Sequence, residues 1–370
     1  MFFIFDSFFC EFSFKPEMNF TRKTTLFLFI ITSVFILNQC YLPKQGLYLI
    51  RYNSTAEDID VILKDKNLAD ENRNILTLIR EIKEYSVTSI GLRNDKSYTK
   101  YVEIDKGYLV DVVSACEKGR FEPYTWKFPF FGTFPYKGFY EQQDAENEAE
   151  RLRRKDLDVM IRQVDAFSTL GFFSDPVYSF MKDYSVYSIA SLIIHEQTHA
   201  TIFLKNQIQF NEELATFIGN EGALQFVRDK YGTDSEYYTN LLNYMEDLDT
   251  YFTLFRCLYD ELNAVYEKDV SREYKLERKE EIFRSFKGRI IAEYNTLFKT
   301  DSFKNIEKIQ LNNAYVLSIN RYTGGLSLFY ELYEKMDHNL RKTVDVLKQL
   351  NKHKGDPREF IRESLEYGNG

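Results

Sequence analysis

The chain has 370 residues and a formal net charge of -8, with apolar content sufficient for one large or two modest domains. The acidic balance, with no basic patch interleaved with aromatics, argues against a nucleic-acid binder. Phe 33 and Tyr 27 against a single Trp read as the codon bias of an A- and T-rich genome rather than as an aromatic ligand box.

At the N-terminus, Arg22 and Lys23 precede an apolar run from Leu26 to Leu37, followed by Asn38-Gln39-Cys40. A basic segment followed by a short apolar one has the shape of a secretory signal and is short for a transmembrane helix. Because it ends at a cysteine, it resembles a bacterial lipoprotein signal peptide, which implies cleavage before Cys40 and acylation of that residue. Asn38 and Gln39 stand where such signals usually have small residues, and an uncleaved N-terminal anchor is the alternative. Met18 is the expected start, since a signal has no use for Asp6, Glu11 and Glu17 upstream. Residues 1–40 are thus read as a leader and 41–370 as the working domain.

A charged helix is expected over Leu68 to Tyr85, with Leu76, Ile79 and Ile82 at helical spacing. Tyr101 to Ile104, Tyr108 to Ala115, Tyr124 to Phe128 and Val159 to Phe167 read as strands, interrupted by a helix from Glu141 to Lys155. These make one small mixed sheet with helices beside it. Val186 to Ile194 is apolar around nearly its whole circumference and predicts a helix buried inside the domain. It ends near Lys205, and Asn211 is suited to cap the next helix. Asp234 to Lys268, Arg272 to Phe298 and Gly324 to Lys352 then read as amphipathic helices with charged outer faces.

The buried helix carries Ile194-His195-Glu196-Gln197-Thr198-His199, two of the chain's four histidines one turn apart around a glutamate. At i and i+4 the imidazoles project from one face, about 5–6 Å apart at their Cβ atoms, and both can ligate one tetrahedral zinc ion. Glu196 flanks that face and can act as general base without being a ligand. A hydrolytic zinc site needs a third protein ligand and an open position. Glu212, at the start of the following helix, is the favoured candidate and Glu213 its rival; an acidic first turn that complements the helix dipole is the plain alternative for both. His338 and His353, among Lys, Asp and Asn, read as surface residues. Cys116 and Cys257 read as two buried thiols rather than a disulfide, and no C-x-x-C spacing occurs.

With these residues in place, H-E-x-x-H followed by Asn211-Glu212-Glu213-Leu214-Ala215-Thr216 resembles the gluzincin pattern, which implies Glu212 as third zinc ligand. The chain also resembles the putative aminopeptidase family of bacterial membrane-anchored proteins. The matching stretches are Trp126 to Pro129, Pro135 to Tyr140, Phe167 to Val177, His195 to His199, Phe210 to Thr216, Glu221-Gly222 and Leu311 to Ala314. In the resembled family a cysteine often follows the tryptophan, with another a few residues on. Here those places read Lys127 and about Thr133, so the local disulfide the resemblance implies would be absent.

The resemblance implies an α+β, zincin-like fold. A small mixed β-sheet lobe (41–180) and a predominantly helical lobe (181–370) flank the H-E-x-x-H helix, and an edge strand above the metal holds an extended peptide. The expected activity is that of a membrane-anchored zinc metallopeptidase, an aminopeptidase by family, facing the periplasm or cell exterior. His195, His199 and Glu212 would hold Zn2+, Glu196 would be the general base, and a peptide would be the substrate. Tyr136, Tyr140 and Tyr322 are candidates for the donor that steadies the oxyanion. The alternatives are an envelope scaffold with a structural or degenerate metal site, and a hydrolase of cell-wall amides that are not peptides. Glu196 argues against a purely structural site, which needs no acid between its histidines and usually closes its fourth position with Cys or His.

Overall fold

The computed structural model describes residues 41–128, 132–164, 175–320 and 325–367; Cys40, Tyr322 and the stretch 165–174 lie outside them. The chain divides into two compact units at Ser54/Thr55. The described part of the first is helix α1 (Tyr41–Thr55) up to Ser54, with Leu47 and Ile50 exposed. Among the described residues no helix is long and apolar enough to cross a membrane.

The second unit is α+β and mostly helical. It opens with β1 (Glu57–Asp58) and the one-turn helix α2 (Ile59–Ile62), capped by the Asp58 carboxylate, which accepts from the Asp60 N–H at 2.8 Å. Helix α3 (Asp70–Tyr85) buries Ile75, Leu76, Ile79 and Ile82, the period its sequence predicts. It runs into a π turn, Ser86–Ile90, that stops at Gly91 with φ 86°. Then come β2 (Lys100–Val102), β3 (Val110–Glu117), β4 (Trp126–Phe128), β5 (Gly132–Phe134), β6 (Lys137–Phe139), α4 (Gln142–Arg153), β7 (Leu157–Val164) and β8 (Val177–Tyr178).

The expected single sheet is in fact three small ones, ordered β1-β2-β8, β6-β3-β7 and β4-β5. Only β3 and β7 pair over a full eight residues, from Val110↔Val164 to Glu117↔Leu157; the other pairings span two or three. Strands this short cannot extend a common ladder, and each sheet is completed by the helices it packs on. β2 and β8 run parallel, Tyr101 beside Val177. The hairpin of β4 and β5 sets Lys127 opposite Thr133.

The helical part contains α5 (Val186–Thr201), α6 (Ile208–Tyr231), α7 (Glu236–Tyr266), α8 (Arg272–Leu297), α9 (Asn313–Asn320), α10 (Ser327–Lys335), α11 (Leu340–Leu347) and α12 (Pro357–Tyr367). Phe255, Leu258 and Leu262 of α7 pack with Ile282, Phe283, Phe286 and Ile290 of α8 and Val316 of α9 to form its core. The single helix expected over Gly324 to Lys352 is broken, because Asp337 and His338 adopt φ 54° and 53° and stop α10 before Asn339 caps α11.

A buried polar clamp ties the sheet to these helices. Lys279 Nζ donates to Asp158 Oδ2 at 3.0 Å, and the Asn313 N–H donates to the same oxygen at 2.9 Å. The Asn313 side chain donates to the Glu117 and Lys118 carbonyls and accepts from the Tyr266 hydroxyl. The Asn312-Asn313 pair is therefore a structural joint. Cys116 is buried, but Cys257 is exposed on α7, which corrects the reading of two buried thiols: position 257 lies on the helix's outer face.

Candidate metal and catalytic site

Helix α5 begins at Ser185, whose hydroxyl accepts from the Ser188 N–H at 3.1 Å. Its apolar residues Ile189, Ala190, Ile193 and Ile194 are buried. Helix α6 lies close against it because glycines face it. A Cβ on Gly219 would sit 2.9 Å from the Ser191 carbonyl oxygen, and one on Gly222 would sit 2.7 Å from Ile90 Cδ1 and 3.1 Å from Ile194. Between the helices the chain turns tightly. Asn211, expected as the cap of the second helix, instead lies inside α6, which starts at Ile208; its side chain clamps Leu204, donating to the carbonyl at 2.8 Å and accepting from the N–H at 3.0 Å. That clamp brings the next residue, Glu212, over the face of α5.

The result is a triangle of donor residues. His195 Nε2 and His199 Nε2 are 3.1 Å apart; His195 Nε2 lies 3.5 Å from Glu212 Oε2 and His199 Nε2 lies 3.5 Å from Glu212 Oε1, and one ligand atom from each residue lies within 4.8 Å of the others. Two imidazoles and a carboxylate are the donor types that zinc takes, so the donor set fits that ion. Glu213 turns the opposite way: it is buried, accepting from Gln209 Nε2 at 3.0 Å and from the Arg358 guanidinium. Of the rivals, Glu212 is the one brought to the histidines.

Burial, helped by the neighbouring His195, pushes His199 down to about 4, so its imidazole is neutral at physiological pH and offers a lone pair. Burial pushes Glu212 up, but its hydrogen bond to His195 and the two imidazoles outweigh this and its pKa falls. Glu196 is raised above the usual carboxylate range by burial and by the charges of Glu212 and Asp95, against the pull of His195. Its carboxylate is not part of the donor triangle. His199 Nδ1 is buried and has no hydrogen-bond partner among the described residues.

Three residues near Glu196 escape a motif search. Asp95 and Tyr98 lie in the loop between Gly91 and β2, and Asp175 lies just before β8; the parallel pairing of β2 with β8 sets the two segments side by side, and the Tyr98 N–H donates to the Asp175 carbonyl at 2.6 Å. The loop is held along α5 by Arg93 N–H donating to Thr201 Oγ1 at 2.9 Å. The π turn before it is tied to the same helix by Ser86 Oγ donating to Gln197 Oε1 at 2.6 Å. Charges on Glu196, Asp175 and Asp95 act on the Tyr98 phenol, Glu196 most strongly, after burial itself.

Of the tyrosines expected as oxyanion donors, Tyr136 is exposed between β5 and β6, Tyr140 is buried at the end of β6, and Tyr322 lies outside the described residues. Neither Tyr136 nor Tyr140 is among the groups whose charges act on Glu196. Trp126, in a stretch shared with the resembled family, is structural: its Nε1 donates to Glu148 Oε1 at 2.6 Å. His338 and His353 are exposed and pack on Tyr333 and Phe360, as the sequence reading had them.

Residues 40–361 match the sequence profile of the family described as "Putative aminopeptidase". The chain belongs to this family. Membership makes it a hydrolase of the peptidase class. No curated protein and no solved structure matches it.

Proposed function

We propose that this family member is a zinc-dependent aminopeptidase of zincin-like arrangement, with His195, His199 and Glu212 holding one Zn2+ and Glu196 as general base. The observation that carries the reading is the convergence of His195, His199 and Glu212, one ligand atom of each lying within 4.8 Å of the others. Bound zinc would act as a Lewis acid, polarising the carbonyl and lowering the pKa of water from about 15.7 to about 7. Glu196 takes the proton from the attacking water and passes it to the leaving amine. Burial, with the charges of Glu212 and Asp95, raises the Glu196 pKa, the direction that helps it hold the proton between water and leaving amine. The neutral His199 offers a lone pair and the ionised Glu212 a negative charge to a divalent cation.

Arg22, Lys23, the apolar run to Leu37 and Cys40 support a bacterial lipoprotein, acylated at Cys40, with the hydrolase unit at the cell envelope facing the periplasm or exterior.

The test is metal content and peptide hydrolysis by chain purified from Tyr41 onward. The expected content is close to one zinc per chain, lost in His195→Ala and His199→Ala and weakened in Glu212→Gln. Glu213→Gln should lose stability through Arg358 and keep the metal. Glu196→Gln should keep zinc while turnover falls about 10²–10⁴-fold. Stoichiometric zinc in either histidine variant would sink the assignment.

A further inference from the structure

Helix α1 is patterned inside out for a helix in water. Its exposed positions, Leu47, Ile50, Arg51, Ser54 and Thr55, fall at i, i+3, i+4, i+7 and i+8 and so form one stripe. On that stripe Leu47 is 54% and Ile50 58% exposed, whereas the buried position is polar, Gln45 at 9%. Among the described side chains of the helix no apolar one is buried. A helix of 15 residues is marginal in water by itself, and this one gains nothing from the side chains it turns outward unless an apolar medium meets them. Charge follows the same segment. Between Glu17 and Glu57 the chain has four basic residues, Arg22, Lys23, Lys44 and Arg51, and no acidic one, although its net charge is -8. Arg51 is on the exposed stripe, and Lys44 stands one turn before Leu47. Tyr48 and Tyr52, with ring centroids 6.5 Å apart, follow on the same side as Lys44, and each joins an apolar ring to a polar hydroxyl.

We propose that α1 lies flat on an anionic phospholipid surface, with Leu47 and Ile50 inserted at the headgroup boundary and Lys44 and Arg51 against lipid phosphate. It is a second attachment, distinct from the acyl chains at Cys40. Cys40 immediately precedes the helix, so Ile50 is ten residues from the proposed lipid site, about 15 Å along a helix. At 15 residues the helix is about 22 Å long, too short to cross a hydrocarbon core of about 30 Å. A short helix with apolar and basic residues on one face settles in the interface plane instead. A second copy of the chain is the poorer occupant, because a stable protein interface buries about 1,200–2,000 Å² and two apolar side chains supply little of that. An acidic protein surface would match Arg51 and leave Leu47 and Ile50 unmatched. An acyl anchor alone is a swivel, whereas a helix lying flat sets the direction in which the chain leaves the membrane at Thr55.

This placement rests on the proposed envelope attachment, and the experiment separates the two. Full-length protein carrying Leu47→Trp or Ile50→Trp is reconstituted into vesicles of phosphatidylcholine mixed equally with phosphatidylglycerol, with and without bromine on the acyl chains close to the headgroups. Val61→Trp, at a comparably exposed position of α2, is the control, and the native Trp126, buried and bonded to Glu148, gives the background. Emission from positions 47 and 50 should shift to shorter wavelength and be lost to bromine quenching, while that from position 61 should do neither. Adding Lys44→Gln and Arg51→Gln should lower the ratio of quenched to unquenched helix about fivefold for each charge removed. No quenching at 47 and 50 overturns the placement. So does a blue shift without quenching, which would mean that protein covers the face, and so does equal quenching at 47, 50 and 61. Palmitate labelling of the same samples is read separately. Labelled protein without quenching keeps the lipid at Cys40 and sinks the flat helix; quenching without label does the reverse.

Discussion

Asp175 is a residue that weakens the fold as pH approaches neutrality. Its folded pKa is raised from an ordinary value of 3.8 to about 7. Between those values the folded state holds a proton that the unfolded state has released, so stability falls as pH rises through the window. The slope approaches about 1.4 kcal/mol per pH unit, so roughly 2–3 kcal/mol is lost between pH 5 and pH 8. Asp175→Asn removes the titration. In chelator, urea unfolding should therefore show wild type losing more stability than the variant over that range; parallel losses would mean that Asp175 does not carry the shift. The same residue marks the limit of what could be read from the chain. His195, Glu196 and His199 are legible because helical spacing alone puts them on one turn of one helix, and Glu212 because the turn to the next helix is short enough to fold back on the first. Asp95, Tyr98 and Asp175 carry no local pattern, and reach Glu196 only because β2 pairs with β8 across a gap of some 75 residues.

Helices with a strong period were legible nearly to the residue: the expected Arg272 to Phe298 is α8 (Arg272–Leu297), and Leu68 to Tyr85 is α3 (Asp70–Tyr85). Strands of two or three residues, such as β1, β5, β6 and β8, lie below the length at which alternation can be recognised, which is why one sheet was expected where three occur. Tertiary joints are equally silent. Lys279 looks like one more charge on a solvated helix face, yet its side chain is 4% exposed and paired with Asp158. Lys279→Met leaves the Asp158 carboxylate buried with the Asn313 N–H as its remaining donor, and should cost about 3–5 kcal/mol. Adding Asp158→Asn should recover part of that, since the stranded charge is gone and contacting residues are not additive. Thermal unfolding gives both values. Zinc content should not change in either variant, because the clamp joins sheet to helix and touches none of the metal donors.

At the scale of the molecule, the described hydrophobic core and the metal-donor residues all belong to the unit from Thr55 to Gly370. Attachment and chemistry should therefore be separable. A chain trimmed to residues 55–370 should keep its zinc and unfold within about 2 °C of the longer protein, since it loses α1 and none of the described hydrophobic core. Attachment is expected to depend on Cys40. A single acyl chain gives marginal membrane binding and several give stable anchoring, so the wild type should remain with membranes through salt and carbonate washes. Labelled palmitate should enter the full-length protein and not Cys40→Ser, whose mass should show a retained leader. Equal labelling of the two would remove Cys40 as the lipid site. An unlabelled, full-length wild type that still sediments with membranes would point instead to the Leu26–Leu37 segment as an uncleaved anchor, with the metal content unchanged.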